Sequence, residues 1–161
     1  MSADNSTMNS LDTTDRQLLK ILQTNGRISN VELAAQVDLS PSAVHARIRR
    51  LEQRGFIRQY AAILNREQMG FDMICFVNIS LQTHKREVVE NFKTTITRMP
   101  EVLECHHLTG EYDYLLKVAV HNRKDLHRFV VDNLTPIPGM AKIHTSVVLA
   151  TEKDTTALPV E

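Results

Sequence analysis

The sequence predicts an α+β protein with an N-terminal (winged) helix-turn-helix followed by a ferredoxin-like βαββαβ sandwich. Three observations support this fold class. Apolar residues recur at helical spacing in three short segments of the first third of the chain. Strand-like and helix-like periods alternate from residue 71 onward. Capping and turn residues separate these segments, so each predicted element has defined ends.

The first helix follows residues 1–10, which are polar and predicted to form a disordered arm. Leu18 and Leu22 mark its apolar side, Asp12 or Thr14 can cap its start, and an Asn-Gly pair ends it. A second short helix begins at Ser29, which forms the pattern of a capping box with Glu32.

The third helix has the strongest local signals. Ser40 is a good N-cap, Pro41 suits the first helical position, and Gly55 suits a left-handed exit. Val44 and Ile48 begin an apolar stripe that predicts one buried side. Five arginines accompany this helix against a single carboxylate within it: Arg47, Arg49, Arg50, Arg54 and Arg58.

Three helices within about 45 residues, the last two joined by a minimal turn, predict a DNA-binding helix-turn-helix domain over residues 11–57. The alternative is an ordinary solvated helix face. In a major groove, the base edges would face Ser42, Ala43, His45, Ala46 and Arg49. Arg47, Arg50 and Arg54 are better placed for phosphates, although sequence alone does not separate the two roles. Ser40 completes the predicted DNA-binding set.

The distribution of charge agrees with a polyanion partner for this domain. The whole chain of 161 residues has a formal net charge of zero. Residues 1–66 contain nine Lys/Arg and six Asp/Glu, whereas residues 67–161 contain ten and thirteen. Local rather than total charge governs binding to a polyanion, so the excess positive charge of the first part favours DNA.

The chain carries two cysteines, Cys75 and Cys105, and both lie in apolar runs. They are typical of core residues in a reducing compartment rather than of a disulfide framework. The first ten residues lack the features of a signal peptide, and no apolar run approaches the roughly 20 residues that span a bilayer. We therefore expect a cytoplasmic, nucleoid-associated protein.

The second domain is predicted over residues 71–153, after a strand or linker at residues 58–70 and before a tail at residues 154–161. Residues 56–64 are rich in β-formers and would suit a wing or strand. Strands are then predicted at residues 73–81, 102–108, 114–120 and 143–149, with helices ending before Pro100 and Pro136.

The first of these strands is apolar on both faces, with Cys75 and Val77 on one side and Ile74 and Phe76 on the other. Such a strand is normally buried on both faces, but two helices cover only one face of a four-stranded sheet. We therefore expect a homodimer. Its two recognition helices, about 34–36 Å apart, would read a two-fold symmetric DNA site.

Ordered fragments along the chain carry a family resemblance. They are Leu11-Asp12 with Asp15, Gly26-Arg27-Ile28-Ser29, Glu32-Leu33-Ala34, Leu39-Ser40-Pro41-Ser42, Arg47 with Arg50-Leu51-Glu52, residues 55–60, residues 109–116 and Pro138-Gly139. Together they resemble the Lrp/AsnC (feast–famine) family of prokaryotic transcriptional regulators, whose second domain is called RAM. The family usually has glycine where this chain has Asp38, which raises a question about the turn before the third helix.

The resemblance implies homodimers that assemble into octamers and bind an amino-acid effector where dimers meet, changing assembly or DNA affinity. No cofactor or metal is implied. Carried over by position, the effector site comprises Leu108, Thr109, Gly110, Glu111, Tyr112, Asp113, Tyr114, Thr145, Ser146 and Val147. Backbone N–H groups at Gly110 would hold a carboxylate and Asp113 would face an ammonium. The alternative is a plain hairpin turn.

Two other functions compete with a ligand-responsive regulator. One is an architectural, nucleoid-associated protein that coats DNA without a ligand. The other is a small ferredoxin-like hydrolase, but residues 82–85 offer no glycine-bearing phosphate loop after the first strand. A zinc site at Cys105-His106-His107 is disfavoured because no second ligand pair has metal spacing. The chain is therefore not expected to be an enzyme.

Overall fold

The computed structural model describes residues 11–161, so the predicted arm at residues 1–10 lies outside the described residues. The chain divides into two compact units. One contains the described residues up to Ala62 together with Lys153–Glu161, and the other is Ile63–Glu152. The first unit has three helices, α1 (Thr13–Thr24), α2 (Asn30–Val37) and α3 (Pro41–Gln53).

The predicted caps define these helices. Of the two candidates for α1, Asp12 is the cap, and its carboxylate accepts from the Asp15 backbone N–H at 2.7 Å. Ser29 and Glu32 form both hydrogen bonds of the capping box at α2. Ser40 caps α3, and Gly55 follows it with φ of +76°. The helix boundaries therefore follow from local chemistry.

The turn between α2 and α3 places Asp38 in the left-handed region, with φ 52° and ψ 50°. Asp38 is the only non-glycine residue of the described chain with positive φ. Aspartate tolerates this conformation better than most residues, so the turn keeps its geometry without the usual glycine. The helices then enclose a small core made by Leu18, Leu33, Ala34, Val44 and Ile48.

The second unit alternates strands and helices in the predicted order. Its elements are β1 (Met73–Leu81), α4 (Arg86–Ile96), β2 (Val102–His107), β3 (Tyr114–Val120), α5 (Arg123–Arg128), which continues as a π-helical turn (Phe129–Leu134), and β4 (Met140–Val147). The strands form one antiparallel sheet in the order β2-β3-β1-β4. This is the ferredoxin-like arrangement, so the predicted fold class is confirmed.

The two faces of this sheet differ. Val77 and Leu116 lie on the face that packs against Phe92 and Phe129 of the helices, and all four are buried. The other face presents Phe76, which is 37% exposed although it lies in the central strand β1. A half-exposed aromatic residue in the middle of a sheet leaves apolar surface available for another molecule.

Two strand predictions were wrong. Residues 56–64 form no strand, because none of the four strands in the described sheet pairs with them. The last strand begins three residues before the predicted Ile143 and ends at Val147, since a bulge at Ser80 and Leu81 lets Met140 pair with β1.

The start of β4 approaches α4 closely at Gly139. This glycine has φ of +86°, and a Cβ atom there would lie 2.3 Å from Cγ1 of Val88. Both the backbone conformation and the close packing therefore require glycine. From residue 11 onward, no helix is both long enough and apolar enough to cross a membrane.

Candidate functional site

The recognition surface of the first unit is the solvent side of α3. Ser42, His45, Ala46 and Arg49 are exposed there, and Ala43 is half-buried. The buried stripe of α3 holds this surface against α1 and α2. The structure therefore brings the five residues predicted to face base edges onto one helix, with Ser40 at its N-cap.

Two of the predicted DNA-binding arginines are paired with carboxylates of α1 and its cap. Arg47 Nη1 lies 2.8 Å from Asp15 Oδ1 and 2.5 Å from Asp12 Oδ2. Arg50 Nη2 lies 3.0 Å from Asp15 Oδ2. Asp15 is only 1% exposed, and we call these four residues the Asp15 cluster. The cluster fastens α3 to α1.

Hydrogen bonds within the Asp15 cluster favour the ionised forms of Asp12 and Arg47. The Asp15 backbone N–H, followed by the Arg47 side chain, lowers the pKa of the Asp12 carboxyl. Hydrogen bonds to Asp12 and then Asp15 raise the pKa of Arg47. Sequence analysis missed these pairings, although the matching family fragments contain both aspartates and both arginines.

The other arginines of α3 have different surroundings. Arg49 is exposed and makes no hydrogen bond or ion pair within residues 11–161. It borders a groove of about 270 Å³ together with His45, whose Nδ1 lies 3.3 Å from Asn30 Nδ2. The Arg54 guanidinium lies over the Phe56 ring, 4.9 Å from its centroid. Arg49 thus has its whole charge available to an external anion.

The predicted effector turn joins β2 to β3. Leu108 N donates to Asp113 O at 2.8 Å, and Gly110 has φ of +133°. The Asp113 carboxylate accepts from the Leu81 backbone N–H and pairs with His84 Nε2, both at 2.7 Å. These hydrogen bonds, the one to His84 first, lower the pKa of Asp113. Asp113 therefore ties the turn to the end of β1.

The two halves of the predicted effector site lie on opposite sides of β1. The turn residue Asp113 donates its backbone N–H to Ile79 O at 2.9 Å, next to β3. Thr145, Ser146 and Val147 pair with the other edge of β1, opposite Val77, Phe76 and Cys75 respectively. Within one chain these two groups are therefore not contiguous.

Different residues of β4 contact the turn. Lys142 Nζ lies 3.0 Å from Glu111 Oε1 and 5.0 Å from the centroid of the Tyr112 ring. His144 lies 6.2 Å from Tyr112 between ring centroids. Tyr114 is buried against Phe92 and belongs to the core. Sequence analysis missed Lys142, His144 and His84, since their proximity depends on strand register.

Comparison with known families matches both units of the chain. Residues 11–58 match the model for a winged helix-turn-helix DNA-binding domain. Residues 74–158 match the model for the Lrp/AsnC ligand binding domain. The chain belongs to the Lrp/AsnC family.

Two transcriptional regulators resemble this chain over almost its full length. The Leucine-responsive regulatory protein of Escherichia coli K12 is 38% identical over 94% of this chain and 92% of its own. Transcriptional regulator AzlB of Bacillus subtilis is 34% identical over 94% of this chain and 96% of its own. Both names describe regulators.

Solved structures give the same result. Transcriptional regulator NMB0573 of Neisseria meningitidis, in complex with L-Met, is 40% identical, has a TM-score of 0.90 and covers 93% of this chain and 97% of its own. E. coli AsnC is 26% identical with a TM-score of 0.85, covering 92% and 98%. This Lrp/AsnC protein is a DNA-binding transcriptional regulator with a ligand-binding domain, and it is not an enzyme.

Proposed function

We propose that this Lrp/AsnC protein binds a two-fold symmetric DNA site as a homodimer and changes its assembly or DNA affinity when an amino acid binds the second unit. The DNA-binding part of this proposal is carried by Arg49, which is exposed and has no partner within residues 11–161, on an α3 helix anchored by the Asp15 cluster. An anchored helix presents its outer side chains in a fixed geometry, which base readout requires.

The arginines of α3 divide into two roles in this proposal. Arg49 contacts DNA, including a phosphate, together with Ser42, Ala43, His45 and Ala46, which share its exposed surface. Ser40, Arg50 and Arg54 flank this group and contact phosphates. The Arg50 side chain is 49% exposed even while paired with Asp15. Arg47 is only 27% exposed and donates to two carboxylates, so we assign it to positioning α3.

The uncovered side of the sheet supports homodimerisation. Phe76 and the half-buried Leu115 of β3 lie on the side of the sheet away from α4 and α5. A second copy of the same sheet would cover both residues, and dimers would assemble further into octamers.

Phe76→Asp places a charge at the centre of this surface. We expect it to lower the oligomeric mass measured by light scattering, whereas an unchanged mass would refute the sheet-to-sheet dimer.

An amino acid is the proposed effector because the NMB0573 structure contains L-Met and other relatives are named leucine-responsive. The turn at residues 108–114 and Thr145–Val147 lie on opposite edges of β1 within one chain. We therefore propose that they meet across a subunit boundary. Backbone N–H groups at Gly110 would bind the carboxylate. Both Asp113 oxygens have partners, so we assign Asp113 to holding the turn in place.

The experiment that tests this function measures DNA binding and its response to ligand. A duplex selected from random sequence by the full chain is titrated by fluorescence anisotropy and footprinting, with and without each common amino acid. We expect a symmetric footprint. At least one apolar amino acid should change the extent of this footprint or the affinity of the protein for the duplex. A footprint that no amino acid alters would instead favour a nucleoid-associated, DNA-coating protein without a ligand.

A further inference from the structure

The last residues of the chain return to the first unit and lie along α1. Gln23 makes two complementary hydrogen bonds with the Leu158 backbone. Its Nε2 donates to Leu158 O at 3.1 Å, and its Oε1 accepts from Leu158 N at 2.6 Å. Arg16 donates to the main-chain oxygen of Glu161. Side chains of α1 thus bind an extended segment through the backbone of that segment.

The receiving surface is one stripe of α1. Arg16, Lys20 and Gln23 recur at spacings of four and three residues, which places them on a common side of the helix. Between this stripe and residues 157–161 lies a cleft of about 420 Å³. The Asp15 cluster occupies a different side of α1, where Asp15 contacts α3. Helix α1 therefore contacts the tail on one side and the recognition helix on another.

The contact between the tail and α1 has the features of a weak, reversible attachment. Leu158 remains 72% exposed, so its side chain contributes little apolar burial. The attachment depends on a few hydrogen bonds, which water replaces at small net cost. In the chain, residues 148–153 alone separate β4 from the tail, and β4 carries Thr145, Ser146 and Val147 of the proposed effector site.

We propose that residues 154–161 form a strap on α1 that releases and docks, and that transmits effector binding from β4 to the helix that anchors α3. The transmission rests on the function proposed above, whereas the docking does not. An effector shifts this equilibrium only as far as its affinity differs between the docked and released forms.

The test compares the full-length chain with Gln23→Ala and with the matched control Gln17→Ala. Gln17 is exposed on the same helix and has no hydrogen-bond partner in the described structure. Hydrogen–deuterium exchange of the Leu158 amide reports docking directly. We expect Gln23→Ala to accelerate this exchange about fivefold and Gln17→Ala to leave it unchanged. Equal exchange in all three proteins would overturn the strap.

The transmission is tested by DNA anisotropy with and without L-methionine and L-leucine on the same proteins. Wild type and Gln17→Ala should share one amino-acid response, and Gln23→Ala should lose at least half of it while still binding DNA. The same response in all three would overturn the transmission. If wild type binds DNA but responds to no amino acid, the proposed function fails together with the transmission, and the exchange measurement still decides whether the tail docks.

Discussion

Two arginines of α3, Arg47 and Arg49, are separated by a single residue but differ in their burial and in their partners. Arg47 is half-buried and donates to Asp12 and Asp15, whereas Arg49 is exposed without a partner in the described chain. Counting the arginines of α3 in the sequence does not distinguish these two side chains. One arginine is engaged by carboxylates and the other is open to solvent, so we expect the first to hold the helix in place and the second to contact a ligand.

The strongest test of the anchored side of α3 is Asp15→Ala. Removing a carboxylate that is 1% exposed takes away the ion-pair partner of Arg50 and leaves Arg47 with Asp12 alone. We expect a loss of about 3 kcal/mol in the free energy of unfolding. Asp12→Ala should cost only about 1 kcal/mol, since the helix cap and the Arg47 contact that it removes both lie at the surface. Urea unfolding followed by circular dichroism at 222 nm measures both. Equal losses would show that burial of Asp15 is irrelevant.

A direct comparison of the two arginines uses Arg47→Ala and Arg49→Ala. The first variant removes charge-assisted hydrogen bonds to Asp12 and Asp15, and we expect it to lose about 2 kcal/mol of stability. The second removes no hydrogen bond or ion pair that residues 11–161 make, so its stability should change by less than about 0.5 kcal/mol. The same urea titration provides the measurement. A larger loss for Arg49→Ala would reverse the assignment of the two side chains.

Asp113→Asn tests whether the paired carboxylate of Asp113 stabilises the second unit. Because the partners of Asp113 lower its pKa, its stabilisation is complete above the ordinary value of about 3.9 and is lost as pH falls through the lower pKa of the folded state. We expect the variant to be about 1 kcal/mol less stable at pH 7, with the difference disappearing toward pH 2.

Thermal unfolding of both proteins between pH 7 and pH 2 measures this effect. Asp132→Asn is a suitable control, because Asp132 is exposed and no hydrogen bond or ion pair engages it in the described structure. A difference between wild type and Asp113→Asn that stays constant over the whole range would contradict a role for the ionised Asp113 carboxylate.

The features that sequence predicted correctly depend on neighbours along the chain. The capping box at Ser29 and the Pro41 start of α3 are set by residues within one helical turn, so their pattern is visible directly. The sequence left the geometry of the turn at Asp38 open, and the structure places this residue in the left-handed region. The spacing of apolar residues was enough to predict the order of strands and helices along the second unit.

The features that sequence did not predict depend on distant partners. Arg47 and Arg50 meet Asp15 across 32 and 35 positions, and no local pattern reveals such a pairing. The position of Thr145 relative to the turn follows from the β1–β4 register and its bulge. Residues 56–64 have the composition of a strand, but composition does not supply the partner that a strand requires.

The most direct test of the central claim is the salt dependence of DNA binding for wild type, Arg47→Ala and Arg49→Ala. Each phosphate contact contributes about 0.9 to the slope of log Kobs against log salt concentration. If Arg49 contacts a phosphate and Arg47 only holds α3, Arg49→Ala lowers this slope by about one unit. Arg47→Ala leaves it unchanged at a temperature where the variant is folded. A slope reduced in Arg47→Ala but not in Arg49→Ala would contradict the division of roles along α3.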